Sequence, residues 1–274
     1  MFKSNMKISN IISRRNRILL RELVITDFKL RYQDSVLGYA WSVLKPLFLF
    51  LILYIVFDKF LRLGRDIENF PVYLLLGIVL WTFFSEATNL GLQSIIGRGD
   101  LIRKINFPKY IIVISGTISS LINLAFNLLV VAVFVIFSDI QLTWHVVLLI
   151  PLIIELYIFS LAVAFFLAAV NVKLRDIGYL WEVFLQAAFY ATPVLYPLQM
   201  VYGQWPEAAK LLMINPVAQV IQDARFVVVT DGTITSWGLF GDWKVLIPFI
   251  IIAVVAVLAV FYFKRNSPYF AEDI

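Results

Sequence analysis

Apolar residues run along this chain in stretches of membrane-crossing length, and polar residues collect in the short intervals between them. The runs cover about 41–57, 71–88, 110–137, 146–170, 177–192 and 245–263. Several approach or exceed the roughly 20 residues that carry a helix across a bilayer, and the third is long enough to cross with tilt. The fifth is short and stops at Pro193. Pro193, Pro197, Pro206 and Pro216 then break the apolar stretches 195–214 and 217–229. Non-helical backbone survives at membrane depth only where protein or a cavity surrounds it, so 194–244 reads as an outer re-entrant helical hairpin. Amphipathic helices lying flat outside the membrane are the alternative.

Ahead of the first run, residues 11–32 interleave Arg14, Arg15, Arg17, Arg21, Lys29 and Arg31 with Ile18, Leu19, Leu23 and Ile25. Leu19 and Leu23 share a helical face, and a basic amphipathic helix of this kind lies in the membrane interface. The chain thus reads as an all-α membrane protein of about six spans in a single transmembrane domain, 1–274. Residues 1–40 form the interface helix, 41–193 five spans, 194–244 the re-entrant region, 245–263 the sixth span and 264–274 a tail.

Composition agrees: the chain is 61% hydrophobic and only 15% charged, against about 25% charged in soluble domains. The net charge of +5 is better explained by topology than by nucleic acid. Lys and Arg number 17 in segments 1–45, 89–110, 171–178 and 264–274, and 6 in the intervening ones. Positive loops stay inside, which places both termini in the cytosol. No removable signal peptide is expected, because the charged start lacks an early apolar core with a cleavage site.

Little chemistry is available to such a chain. There is no cysteine and a single histidine, His145, so no thiolate site exists and a zinc site would need many carboxylate helpers. No glycine-rich phosphate loop ending in Lys-Ser/Thr occurs, and no nucleophile elbow accompanies His145. Energy must therefore enter from another chain. Leu101, Ile102, Arg103, Lys104, Ile105, Asn106, Phe107 and Pro108, a basic and apolar segment between two long runs, suit docking to a soluble partner. Ile102, Ile105 and Phe107 would be apolar anchors, and Arg103 and Lys104 would steer. The two cations could instead only enforce topology.

Ionisable groups within a membrane are costly and point to function. Glu155 is the clear case, and helix rise puts it at a depth shared with Asn127 and Asn123 of the preceding run. A Glu155–Asn127 hydrogen bond acting as interhelical glue is expected, with a substrate contact or proton relay as the alternative. Aromatic residues are abundant, and Trp181, Phe184, Phe189, Tyr190 and Tyr196 cluster about the broken fifth run. Together with Trp41 they are candidates for lining a pathway that passes a sugar chain by stacking; helix packing is the plainer role for each.

Residues 31–41 (Arg-Tyr-Gln-Asp-Ser-Val-Leu-Gly-Tyr-Ala-Trp) with Lys45-Pro46, the 101–108 segment, Asn171-Val172-Lys173-Leu174-Arg175-Asp176, the break at 192–197, Asn215-Pro216 and Asp223-Ala224-Arg225 together resemble type 2 ABC exporter permeases. The branch they most resemble exports O-antigen, capsule or teichoic acid. Asn171 departs from the bulky apolar residue expected at its position. The resemblance implies a homodimer joined by two copies of a separate cytosolic ATPase, which holds ATP and Mg, while this chain binds no cofactor and is not itself an enzyme. The ATPase would meet the N-terminal helix through Arg14, Arg15 and Arg17, and the 101–108 segment. The substrate would be a lipid-linked polysaccharide moved across a bacterial inner membrane. A small-molecule exporter of the same type, and a membrane enzyme acting on lipid-linked sugars, are the competing readings.

Overall fold

Helices account for nearly all of the ordered backbone in the structure, a computed structural model that describes residues 14–32, 37–62, 67–138 and 140–273. The interface helix α1 covers Arg14–Tyr32, and α2 covers Trp41–Tyr54 and continues as a π-helical segment, Ile55–Phe60. The helices α3 (Phe70–Ser94), α5 (Tyr110–Phe137) and α6 (Leu149–Lys173) form the body, with the short α4 (Gly99–Lys104) between the first two. Beyond them lie α7 (Ile177–Ala191), α8 (Leu198–Gln204), α9 (Pro206–Met213), α10 (Pro216–Val228), α11 (Ser236–Phe240), α12 (Ile247–Asn266) and α13 (Phe270–Asp273). No strand occurs among the described residues.

The core is α3, whose side chains from Val72 to Trp81 are all buried beneath α5, α6 and α10. Asn69 starts it in a left-handed conformation (φ 55°), with Pro71 as the second helical residue, which fits the first turn because its missing N–H would have no helical partner there. Close packing is built from small residues. Ser115, Gly116, Ser119 and Ser120 make one buried face of α5, and their hydroxyls return to carbonyls of their own helix. A Cβ at Gly91 of α3 would stand 2.3 Å from Cβ of Ala164, so glycine is required where α3 crosses α6. Helices in lipid associate through such small-residue contacts rather than by hydrophobic burial.

Four of the expected spans are helical stretches long and apolar enough to cross, within Phe70–Ser94, Tyr110–Phe137, Trp144–Lys173 and Trp243–Asp273. The first and fifth expected spans are shorter. The helix α2 has 14 residues before its backbone widens into the π segment. Helix α7 has 15 and ends at Ala191, just before the extended Thr192 and Pro193, where proline disfavours the helical conformation of its predecessor.

The stretch expected to re-enter is sharply bent: α9 and α10 meet at 101°. Asn215 makes that corner, its side chain accepting from the Val217 amide at 3.0 Å with Pro216 next to it. Arg225 then ties α10 into the body. It is fully buried and donates Nε to the Tyr73 carbonyl (3.0 Å), Nη1 to that of Pro193 (2.6 Å) and Nη2 to that of Val194 (2.6 Å). Its guanidinium also lies 3.7 Å from the centre of the Tyr73 ring. Gly77 leaves the room, since a Cβ there would lie 2.3 Å from Nη2.

Candidate functional site

A cleft of about 960 Å³ opens among α2, α3, α5 and α7. Its floor is polar and begins with a proline. Pro46 has no N–H, so the Ser42 carbonyl one turn earlier loses its helical donor. Asn127 of α5 supplies one instead, at 3.1 Å, and its second amide hydrogen goes to the Asn123 carbonyl at 2.9 Å. Asn123 in turn donates to Glu86 of α3 at 2.7 Å. Lys45, Ser85, Asn89, Glu182 and Gln186 extend this polar lining. Lys45, Glu182 and Gln186 are exposed on helices whose other faces meet protein or lipid. Groups of this kind at membrane depth face a partner or a water-filled space.

One wall is aromatic. Trp41, Trp81, Phe189 and Tyr190 line the cleft; Trp81 packs against Phe189 with ring centres 5.7 Å apart, and Tyr190 is 68% exposed. Three of the six aromatic candidates, Trp41, Phe189 and Tyr190, are thus brought together here. The other three lie elsewhere. Trp181 donates its indole N–H to Thr88 Oγ1 at 3.2 Å and stacks on Phe184, while the Tyr196 hydroxyl bonds the Ala191 carbonyl at 3.1 Å. Trp81 escaped the sequence reading because it sits inside an apolar run with nothing local to mark it.

The expected Glu155–Asn127 hydrogen bond is not made. Both Asn127 amide hydrogens are engaged as described, and Glu155 of α6 faces Gln219 and Asp223 of α10. Asp223 accepts from Gln219 Nε2 (2.7 Å), Ser236 N (3.0 Å) and Ser236 Oγ (2.8 Å). Helix α10 therefore brings Glu155 its polar neighbours. Asn123 and Asn127 belong to the cleft and Glu155 does not.

At the end of the bundle where α3 runs into α4, a second constellation forms. Arg98 makes an ion pair with Asp27 of α1, and Ser115 Oγ approaches the same carboxylate at 3.5 Å. Burial pushes the Arg98 guanidinium down from its ordinary range. Leu23 is buried and Leu19 packs on the same cluster, as their spacing predicts, while Arg14, Arg15 and Arg17 are exposed. In the 101–108 segment, Ile102 (5% exposed) and Phe107 (7%) turn into the chain's own core. They hold the segment in place rather than offering themselves as anchors. Arg103, Lys104 and Ile105 stay on the surface and Leu101 is half-buried. The tail contributes as well: α13 packs on α4 and α6, with Phe270 fully buried against Phe263. Asn171, the departure noted above, donates to the Leu92 carbonyl at 2.9 Å and fastens the end of α6 to α3. Among the described residues, no three of His, Cys, Asp and Glu gather to hold a metal.

The ABC-2 type transporter family model matches residues 2–227. The chain is 34% identical over 207 residues to the O-antigen export system permease protein RfbA of Myxococcus xanthus, covering 75% of this chain and 78% of that protein. It is 32% identical to the RfbA of Klebsiella pneumoniae over 74% and 78%. It is 22% identical to the polysialic acid transport protein KpsM of Escherichia coli over 76% and 80%. With its all-helical body, membrane-length spans and polar cleft, the chain is a multi-pass membrane protein and belongs to the ABC-2 type transporter family.

Proposed function

We propose that this chain is the transmembrane subunit of an ATP-driven exporter of a lipid-linked polysaccharide. The observation that carries this reading is the cleft: amide, carboxylate and hydroxyl groups on its floor, and Trp41, Phe189 and Tyr190 on its wall, backed by the buried Trp81. Sugars present hydroxyls to the former and C–H faces to the latter, and stacking tolerates translation from ring to ring. An exporter of apolar small molecules has less use for such a floor. The names of the relatives, which speak of O-antigen and polysialic acid, support the same substrate class.

Two copies of the chain would close the cleft. The helix α7 has one buried residue, Leu185, and exposes Glu182 and Gln186 beside Tyr179 and Phe184. A second copy facing α2 and α7 would remove those polar groups from lipid. The end bearing α1, α4 and α13 is the cytosolic one in the Lys and Arg distribution, in a bacterial inner membrane with both termini inside. There Arg14, Arg15, Arg17, Arg103, Lys104 and Ile105 would meet a separate ATPase that carries ATP and Mg. Closure of two ATPases shifts the permease between states only in so far as they engage those states unequally, and the Asp27–Arg98 pair ties α1 to the α3–α4 link.

The test is deletion of the chain followed by surface glycan analysis and lipid extraction. An undecorated surface with lipid-linked glycan retained inside is the expected result. A fully decorated surface in the deletion strain rejects the reading.

A further inference from the structure

A second cavity, also of about 960 Å³, lies at the opposite end of the bundle from α1 and α4. Among the described residues it is bounded by Arg62 and residues 67–69 ahead of α3, by Ile140, Gln141 and Thr143 between α5 and α6, and by the α10–α11 loop, with Pro197, Gln199 and Met200 on the remaining side. Its size falls within the roughly 300–1,000 Å³ of cavities that engulf small ligands. Two buried polar groups lining it lack partners among the described residues. Gln199 gives its Nε2 to the Gly232 carbonyl at 2.6 Å and leaves its Oε1 without a donor. Thr233, only 5% exposed, has no hydrogen-bond partner for its hydroxyl. Buried groups left in this state are costly, and a ligand that both donates and accepts would satisfy both.

The charge around them narrows the ligand. Among the described residues, Glu68 and Asp231 line the cavity against one cation, Arg62, a balance that favours an uncharged ligand over a phosphate or a lipid headgroup anion. Gln141 and Thr143 add an amide and a hydroxyl, and Phe226 an aromatic face. We propose that this cavity is an outward-facing glycan subsite, which holds a few uncharged sugar units of the chain leaving the cleft. The proposal rests on the polysaccharide-export reading and deepens it. A subsite on the far side would bias a threading polymer outward by giving its emerged end hydrogen bonds that slipping back would break.

The absence of cysteine from the chain makes a direct test possible. Asp231→Cys and, separately, Thr143→Cys are labelled with a membrane-impermeant maleimide on spheroplasts. Cells that synthesise the polysaccharide are compared with cells blocked in its synthesis. Occupancy should slow labelling of both cysteines by roughly fivefold, the size of one or two ordinary hydrogen bonds, and adding Thr233→Val with Gln199→Leu should abolish that protection. Equal labelling in both cell types, with export intact, overturns the subsite and leaves the exporter reading standing. Failure of either cysteine to label also overturns it, because the cavity would not face outward. If export of the polysaccharide does not depend on this chain, the underlying reading fails instead, and the two failures are distinguishable.

Discussion

At the scale of single residues, two side chains do work that lies outside their own helices. Arg225 gives its guanidinium to three backbone carbonyls from two other segments, and so fastens α10 and the break after α7 to α3. Replacing it with Met strands the Pro193 and Val194 carbonyls, which lie outside a helix, and each costs about 1–3 kcal/mol when left unsatisfied. Arg225→Met should therefore lose at least about 2 kcal/mol, read as a marked fall in the thermal midpoint of the detergent-purified protein. Arg225→Lys should recover little, because an ammonium cannot reproduce the fork. Asn127 is the counterpart at the cleft floor, filling the carbonyl that Pro46 leaves without a helical donor. Asn127→Leu should cost about 1–3 kcal/mol and widen the α2–α5 contact. A cysteine cross-linking series between those helices would report the change; unchanged cross-linking would show that Pro46 needs no such support.

Helices as units were largely legible from apolar length. The run at 110–137 is the helix observed, Tyr110–Phe137, and the break at Thr192-Pro193 ends α7 where expected. The π segment at Ile55–Phe60 was not visible, because nothing in an apolar run announces a change of helical winding. Legibility also failed wherever a residue's partner comes from far along the chain. Glu155 matched Asn127 in depth, yet α10 arrives about sixty residues later with Gln219 and Asp223 and faces it instead. The 101–108 segment was legible as a short basic and apolar stretch between two long runs, but which of its apolar residues face outward depends on α6 and α13 residues that share its core cluster.

That distinction sets the prediction for the docking elements. Ile105→Ser should leave folding and membrane insertion unchanged and should abolish stimulation of the partner ATPase by the permease, measured as ATP turnover of the co-purified complex. Full stimulation would remove Ile105 from the docking surface. Asp27→Arg should weaken the join between α1 and the α3–α4 link by about 1 kcal/mol, the range for a partly exposed ion pair. The double reversal with Arg98→Asp should restore coupling. Failure of that rescue would mean that Asp27 acts through Ser115 or its own helix rather than through Arg98.

The whole molecule joins a packed body around α3 to a loosely covered face formed by α2 and α7. The body depends on close helix approach: Gly91→Val would drive a side chain into Ala164 and should destabilise by about 1–3 kcal/mol, as overpacking does. The sparsely packed face is the one carrying the cleft, and α1 and α4, the elements proposed to meet the ATPase, gather at a single end. Such an arrangement suits a subunit that changes its face when driven from that end. The central claim is that the cleft carries glycan across the membrane under the power of another chain. Its most direct test is reconstitution of the chain with its cognate ATPase in vesicles loaded with lipid-linked polysaccharide, with lectin access to the glycan followed on the side opposite the ATPase. The account predicts that the glycan becomes accessible only with ATP, and that Trp41→Ala with Tyr190→Ala slows its appearance at least tenfold, a loss of about 1.4 kcal/mol or more from two stacking contacts. Undiminished export by that double variant, or ATP-driven movement of small apolar dyes with none of the glycan, would contradict it.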